Sequence, residues 1–224
     1  HAYLDRVQEY DRILRQRKHL LKQQVDDQHL APWTASLVRS GSRIRQDRLV
    51  YLARFLPRLC QIYKEITSGS ESANLKYSVE EKSIEALSDY LEEALQRLAP
   101  REKKLGLTLA GPHRDDLDFL VGERSLRSFG SQGQQRSYLL AFKAAQVMDL
   151  EKEMQDPPVL LLDDLASELD LRRQEGFFNF LLQRNGQIFL TSAQQTLLTD
   201  AVRQKASYYK VDQGTVNTIS PGRG

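Results

Sequence analysis

Asp163 and Asp164 are the residues of this sequence best placed to do chemistry. They follow an apolar run, Val159, Leu160, Leu161 and Leu162, which is itself preceded by Pro157 and Pro158. The run is too short for a helix of ordinary length, so it predicts a strand buried on both faces, as in parallel sheets. Ligands of open α/β sheets bind just beyond the carboxyl ends of the strands. Two carboxylates there can hold a hydrated Mg²⁺ and orient a water. The alternative is that two aspartates open a loop and cap the following helix, a frequent use of this residue type.

Two further groupings bear on that choice. Ser131, Gln132, Gly133 and Gln134 stand directly before a helical pattern containing Tyr138, Leu139, Phe142, Ala145, Val147 and Met148. Small residues at a loop-to-helix junction expose backbone N–H groups, and the helix dipole adds positive potential, which makes an anion site. Serine there is also an ordinary N-cap. Arg136, one turn inside, could approach the same anion or pair with a carboxylate. Beyond the aspartates, Ser167, Glu168, Leu169 and Asp170 form another short motif.

The strings Gly-Pro-His-Arg-Asp-Asp (111–116), Gly-Ser-Gln-Gly-Gln-Gln-Arg (130–136) and Leu-Leu-Asp-Asp-Leu-Ala-Ser-Glu-Leu-Asp (161–170) together resemble the bacterial RecF family of recombination and replication-repair ATPases. The last two are similar to the signature loop and to the Walker B segment with its D-loop in ABC-type ATPases. The resemblance implies an α/β fold: the C-terminal half of an ABC-type (P-loop) ATPase head plus a mainly α-helical lobe. It implies ATP and Mg²⁺ as cofactors, with Asp163 on the Mg²⁺ hydration shell and Asp164 orienting the attacking water. Ser131, Gly133, Gln134 and Arg136 would meet a nucleotide bound by the opposite subunit, and Ser167 and Asp170 would couple the two sites. Where many ABC ATPases carry a γ-phosphate-sensing histidine, this chain has Thr191 and Ser192. ABC ATPases at large place Glu where Asp164 stands, and the shorter side chain predicts slow turnover.

The same resemblance implies an ATP-dependent homodimer that binds double-stranded and gapped DNA. It would act with RecR and RecO in replication and gap repair, and support SOS induction. No Gly-x-x-x-x-Gly-Lys-Ser/Thr loop, whose amides and lysine hold nucleotide phosphates, occurs in the 224 residues. The chain alone is therefore expected to be inactive as an ATPase. It opens at His1 inside a helical pattern, which is expected of the C-terminal part of something longer.

The flanking elements must position these groups. Residues 1–29 carry Leu4, Val7, Tyr10 or Asp11, Leu14 and Leu21 at helical spacing, with Arg6, Arg12, Arg15, Arg17, Lys18 and Lys22 on the other face. That face is either simply solvated or a phosphate-contacting patch, for which Arg15, Arg17 and Lys22 are the DNA-binding candidates. Ala31-Pro32-Trp33 predicts a helix end and a restart. A long apolar stripe then runs from Leu37 to Ile66, with Pro57 expected to kink or interrupt it. Leu75, Tyr77 and Val79 predict a short strand, and Ser83 caps a helix through Leu98.

Composition shifts near Pro100, which places a boundary there: a helical lobe over 1–100 and the ATPase part over 101–224. Leu105, Leu107 and Leu109 predict one strand and Leu117, Phe119 and Val121 a second, around the charged loop 111–116, which could be no more than a salt-bridged turn. A strand over 125–127, a helix near 177–182, a strand over 187–190, a helix over 196–203 and a hairpin over 208–219 follow, with a disordered tail from Pro221.

A net charge of +2 does not announce a nucleic-acid binder, so that role rests on local patches. One cysteine, Cys60, cannot form an internal disulfide. No apolar run is long enough for a membrane span and no signal-peptide pattern is present, so no membrane partner and a cytoplasmic location are expected. Two other classes compete: a head of the structural-maintenance or double-strand-break-repair ATPases, whose long coiled coils the first 100 residues do not match, and a non-catalytic interaction module.

Overall fold

The structure, a computed structural model, describes residues 2–80, 83–163, 170–184, 186–192 and 200–219. The chain divides into two compact units, His1–Arg54 with Lys76–Asp118, and Phe55–Leu75 with Phe119–Gly224.

The first unit is mainly helical. Helix α1 (Ala2–Lys22) ends at a turn in which Gln24 takes a left-handed backbone (φ 53°). Helix α2 (Asp27–Ile66) begins where the Asp26 carboxylate accepts the His29 backbone N–H at 2.9 Å. The helix break thus falls at 23–26, ahead of the expected Ala31-Pro32, because Pro32 fits a helix's early positions and Asp26 supplies the cap. The helix also runs on through Pro57. After strand β1 (Ala73–Tyr77), helix α3 (Ile84–Leu105) is capped by Ser83, whose hydroxyl accepts the Ala86 N–H at 3.0 Å. Pro100 lies inside this helix.

Tyr10 and Ile13 of α1, Leu37, Val38 and Ile44 of α2, and Leu91, Ala94 and Leu95 of α3 form the main core of this unit, with Trp33 packed against it. Of the two options for α1, Tyr10 faces inward and Asp11 outward. The strand expected at 105–109 does not form. Glu102 takes its hydrogen bonds instead: its carbonyl accepts the Leu107 N–H (3.3 Å) and its carboxylate the Leu109 N–H (2.6 Å).

The second strand of that expectation does form, as β2 (Leu117–Val121). It lies between β1 and β3 (Arg124–Ser125) in a three-stranded sheet. The predicted strand over 125–127 stops at Ser125, because the single-turn helix α4 (Leu126–Phe129) starts there.

The second unit packs helix α5 (Gln132–Met154) and helix α6 (Leu171–Leu182) with the α2 residues Phe55, Leu59, Ile62, Tyr63 and Ile66. The Phe55 and Phe142 rings meet edge-on at 5.0 Å, and Tyr63 and Tyr138 at 5.6 Å. Strands β4 (Leu160–Asp163) and β5 (Ile188–Thr191) are parallel, with Leu160 opposite Ile188 and Asp163 opposite Thr191. Helix α7 (Asp200–Lys205) and the hairpin β6 (Tyr208–Asp212) and β7 (Thr215–Ile219) complete the described chain. The start of the helix expected from Thr196, and the tail from Pro221, lie outside the described residues.

Strand β4, expected from the apolar run at 159–162 to be buried on both faces, is not. Leu160 and Leu162 are half-buried, whereas Leu161 is 77% exposed beside Phe189 at 52%. Strand side chains alternate with period two, and among the described residues only one face of this two-stranded sheet is covered.

Candidate functional site

The parallel register decides which side chains meet at the carboxyl edge. Because β4 and β5 run in step, Asp163 and Thr191 end level, and the Thr191 hydroxyl donates a short hydrogen bond to the Asp163 carboxylate. Sequence reasoning assigned these two residues separately, 28 positions apart, and the fold makes them neighbours. Asp163 is exposed and so can bind a ligand. Mg²⁺ is held by one or two protein carboxylates, with waters and phosphates filling the remaining positions, so this donor set suits it. Ser192 follows, exposed, just past the strand. Asp164 and Ser167 lie outside the described residues.

The Ser131 turn is a complete capping box. The Ser131 hydroxyl oxygen accepts the Gln134 backbone N–H (3.2 Å), and the Gln134 side-chain oxygen accepts the Ser131 N–H (3.0 Å). Both side chains therefore spend acceptor capacity on the cap. What remains is donor capacity: the serine O–H and the glutamine amide N–H₂, beside first-turn backbone N–H groups that have no intrahelical partner. An anion is the natural complement of such a turn. The N-cap reading of Ser131 is borne out, and the cap leaves these donors available for an anion. Arg136 is half-buried one turn inside.

Gly133 has a specific reason to be glycine. A Cβ there would lie 2.1 Å from Nη1 of Arg173, which crosses the first turn of α5. Arg173 is itself held by Glu71 at 3.0 Å and by Asp170 at 3.5 Å, and the Asp170 carboxylate caps α6 by accepting the Arg173 backbone N–H at 3.0 Å. Glu71 also accepts the Tyr63 hydroxyl. Arg173 thus joins Asp170 to the first turn of α5, and sequence reasoning missed it. The available signal was the i, i+3 spacing of Asp170 and Arg173.

Loop 111–116, the third string, is a built structure in the first unit. The Arg45 guanidinium clamps Asp115 through two bonds of 2.9 and 2.7 Å, and Tyr77 donates to the same carboxylate. Arg48 donates to the Pro112 carbonyl at 2.7 Å. The ring of His113 bridges the Tyr10 hydroxyl (2.8 Å) and the Thr108 carbonyl (3.2 Å). A carbonyl only accepts, so Nε2 carries the proton and Nδ1 accepts from Tyr10. Gly111 takes φ 134°, and a Cβ on it would stand 2.2 Å from the Tyr10 hydroxyl. Of the two readings open for this loop, a turn tied down by ion pairs describes its geometry.

Burial holds His113 below the ordinary imidazole range, with the repulsion from Arg114 adding to it and the hydrogen bond to the Thr108 carbonyl and the attraction of Asp115 and Glu102 opposing it. The native state therefore takes up its proton later than the unfolded chain. Its contribution to stability is present above about pH 6.5, the unfolded value, and is lost as the pH falls from there through the lower folded value. Thermal melts of the wild type should drop across that window, and those of a His113→Gln variant should drop less. Equal slopes for both proteins would show that the ring does not titrate as its burial requires.

The candidate cations on α1 separate. Arg15 is exposed and pairs with Asp11 at 2.9 Å, and Lys22 is exposed. Arg17 is 2% exposed and bonds Glu102 (2.7 Å), Thr108 (2.8 Å) and Thr34 (3.1 Å). It is withdrawn from the DNA-contacting set, because a guanidinium with all three nitrogens engaged inside the fold cannot reach a phosphate. Among the described residues no helix is long and apolar enough to cross a membrane.

A parallel strand pair with an acidic carboxyl edge, a capped serine turn opening a long helix, and an acid-capped helix after the strand together define an α/β fold of the ABC-type ATPase head, here one half of it with a helical unit. No protein-family model matches the chain. It is 47% identical over 213 residues to the DNA replication and repair protein RecF of Syntrophotalea carbinolica, covering 95% of this chain and 59% of the relative. The corresponding protein of Geobacter metallireducens is 39% identical over 223 residues, covering 97% of this chain and 60% of the relative. Solved structures of the recombination mediator protein RecF of the RecFOR pathway, one with ATP and one with ATPrS, superpose with TM-scores of 0.79 and 0.77 at 26% identity, covering 97% of this chain and 58% and 59% of theirs. Along its aligned length the chain matches part of these RecF proteins, and it spans about 60% of the length of the curated relatives.

Proposed function

We propose that this chain supplies the acidic edge and the signature turn of a RecF-family ATPase that binds DNA in replication and in recombinational repair of single-strand gaps. The observation that carries the reading is the pairing of Asp163 with Thr191 at the carboxyl edge of β4 and β5. In this reading Asp163 holds the hydration shell of Mg²⁺, Asp164 orients the attacking water, and Thr191 fixes the carboxylate while Ser192 faces the γ-phosphate. The donors left over at Ser131 and Gln134, with the Gly133 and Arg136 turn, meet the γ-phosphate of a nucleotide held by a second subunit. Ser167 and Asp170 couple the two sites, and ATP drives dimerisation.

The phosphate-binding loop is absent from the 224 residues, so a second polypeptide segment must provide it. RecR and RecO are the partners this reading implies, with a cytoplasmic location, a supporting role in SOS induction and no membrane contact. In this reading the first unit, rather than residues 1–100, acts as the helical lobe and the second unit, rather than 101–224, as the ATPase part, since Pro100 lies inside α3. The test mixes this chain with a RecF N-terminal piece bearing that loop. ATP turnover that appears only in the mixture, and rises with duplex DNA, supports the proposal. A mixture that forms a complex yet never turns over ATP, with or without DNA, favours a non-catalytic module instead.

DNA contact is assigned to the outer face of α1. An exposed pair such as Arg15–Asp11 is worth little in water, so Arg15 can exchange its partner for a phosphate. Reversing Arg15 and Lys22 to Glu should weaken duplex binding and lower the slope of log K against log salt by roughly 0.9 for each phosphate that is no longer neutralised. An unchanged slope would leave this face merely solvated.

A further inference from the structure

The first unit carries an open groove of about 640 Å³ between α2 and α3 that none of the chemistry above uses. The two helices run antiparallel along it, since Lys103 near the end of α3 pairs at 2.7 Å with Asp27 at the start of α2. The groove follows α2 from Asp27 to Arg43, about 25 Å at 1.5 Å per residue. Its floor includes the buried Val38 and Leu95, and small side chains at Ala31 and Ala35 let another backbone come close. On the α2 rim stand Arg39 and Arg43, one helical turn apart and both exposed. Neither makes an ion pair or a side-chain hydrogen bond among the described residues.

We propose that this groove docks an amphipathic α-helix of a partner protein, seating apolar side chains on Val38 and Leu95 and pairing carboxylates on two consecutive turns with Arg39 and Arg43. Groove length, apolar floor and small-residue walls fit a third helix at the usual 8–10 Å interaxial distance, read as apolar anchors at i, i+3, i+4 and i+7. Charge complementarity selects the acidic partner. Duplex DNA fits less well, because its phosphates would have to dry against an apolar floor.

The probe is a fluorescein-labelled, 16-residue designed helix with Leu at those anchor spacings and Glu at two positions one turn apart, titrated into the 224-residue chain by anisotropy. Saturable binding is expected, weakened about tenfold or more by Arg39→Glu with Arg43→Glu, a magnitude typical of removing charge-assisted pairs from an interface. Changing the two peptide glutamates to lysines should restore binding to that variant. Ala35→Trp, which fills the groove without touching the charges, should abolish binding in both pairings, and circular dichroism checks that each variant stays folded. Absence of binding, equal binding of a scrambled peptide, or indifference to the charge reversal overturns the proposal. Arg39- and Arg43-dependent binding of a 20-base-pair duplex that displaces the peptide would transfer the groove to nucleic acid.

Discussion

Asp164→Asn in a RecF-family protein carrying both this chain and the phosphate-binding loop is expected to stop ATP hydrolysis while leaving ATP binding in place. The group that positions or deprotonates an attacking water contributes roughly 10²–10⁴-fold to rate. Asparagine keeps the shape but cannot accept the proton. Asp163→Asn should behave differently: in the proposed reading it would remove charge from the Mg²⁺ shell and so weaken Mg-dependent nucleotide binding as well as turnover. Measuring ATP affinity and single-turnover hydrolysis for both variants separates the two roles. Wild-type turnover in Asp164→Asn would remove that residue from the chemistry, and unaltered Mg-dependence in Asp163→Asn would remove the metal from the edge of β4.

The second large effect belongs to the buried pair Arg17–Glu102. Both side chains are withdrawn from water, at 2% and 0% exposure, and every polar atom is used: Arg17 reaches Thr34, Thr108 and Glu102, while Glu102 also accepts the Leu109 N–H. Truncating one partner strands the other charge in the interior, which costs about 3–5 kcal/mol, whereas replacing both by apolar residues of similar volume is often neutral or stabilising. Glu102→Ala should therefore lower the urea midpoint of the first unit sharply, and Arg17→Met with Glu102→Leu should recover much of it. Because Glu102 also anchors 107–109, the single variant should expose that segment to amide exchange. A mild loss in Glu102→Ala would mean that water enters and solvates Arg17.

Several features were legible along the chain because they depend on neighbours in sequence. The Ser83 cap, the Ser131 turn with Gln134 three residues on, and the terminal hairpin are local, and each lies where spacing placed it. Several readings failed because a partner outside the local pattern decides. Leu105, Leu107 and Leu109 alternate like a strand, yet Glu102 captures the backbone there. Arg17 belongs by spacing to a charged helix face, but Glu102, 85 positions away, draws it into the core. Arg173 carries no motif of its own, and its importance arises only from its position over Gly133.

By itself the sequence determined the element types around the site, the acidic end of β4, the capped Ser131 turn and the resemblance to RecF, because residue type and short spacing encode caps, periodicity and motif order. Only the tertiary structure decided that Thr191 stands beside Asp163, that Arg173 links Asp170 to the α5 turn, and that loop 111–116 is held by Tyr10, Arg45, Arg48 and Tyr77. Apart from the Asp170–Arg173 spacing, these contacts join residues tens of positions apart, so strand register and helix packing select them.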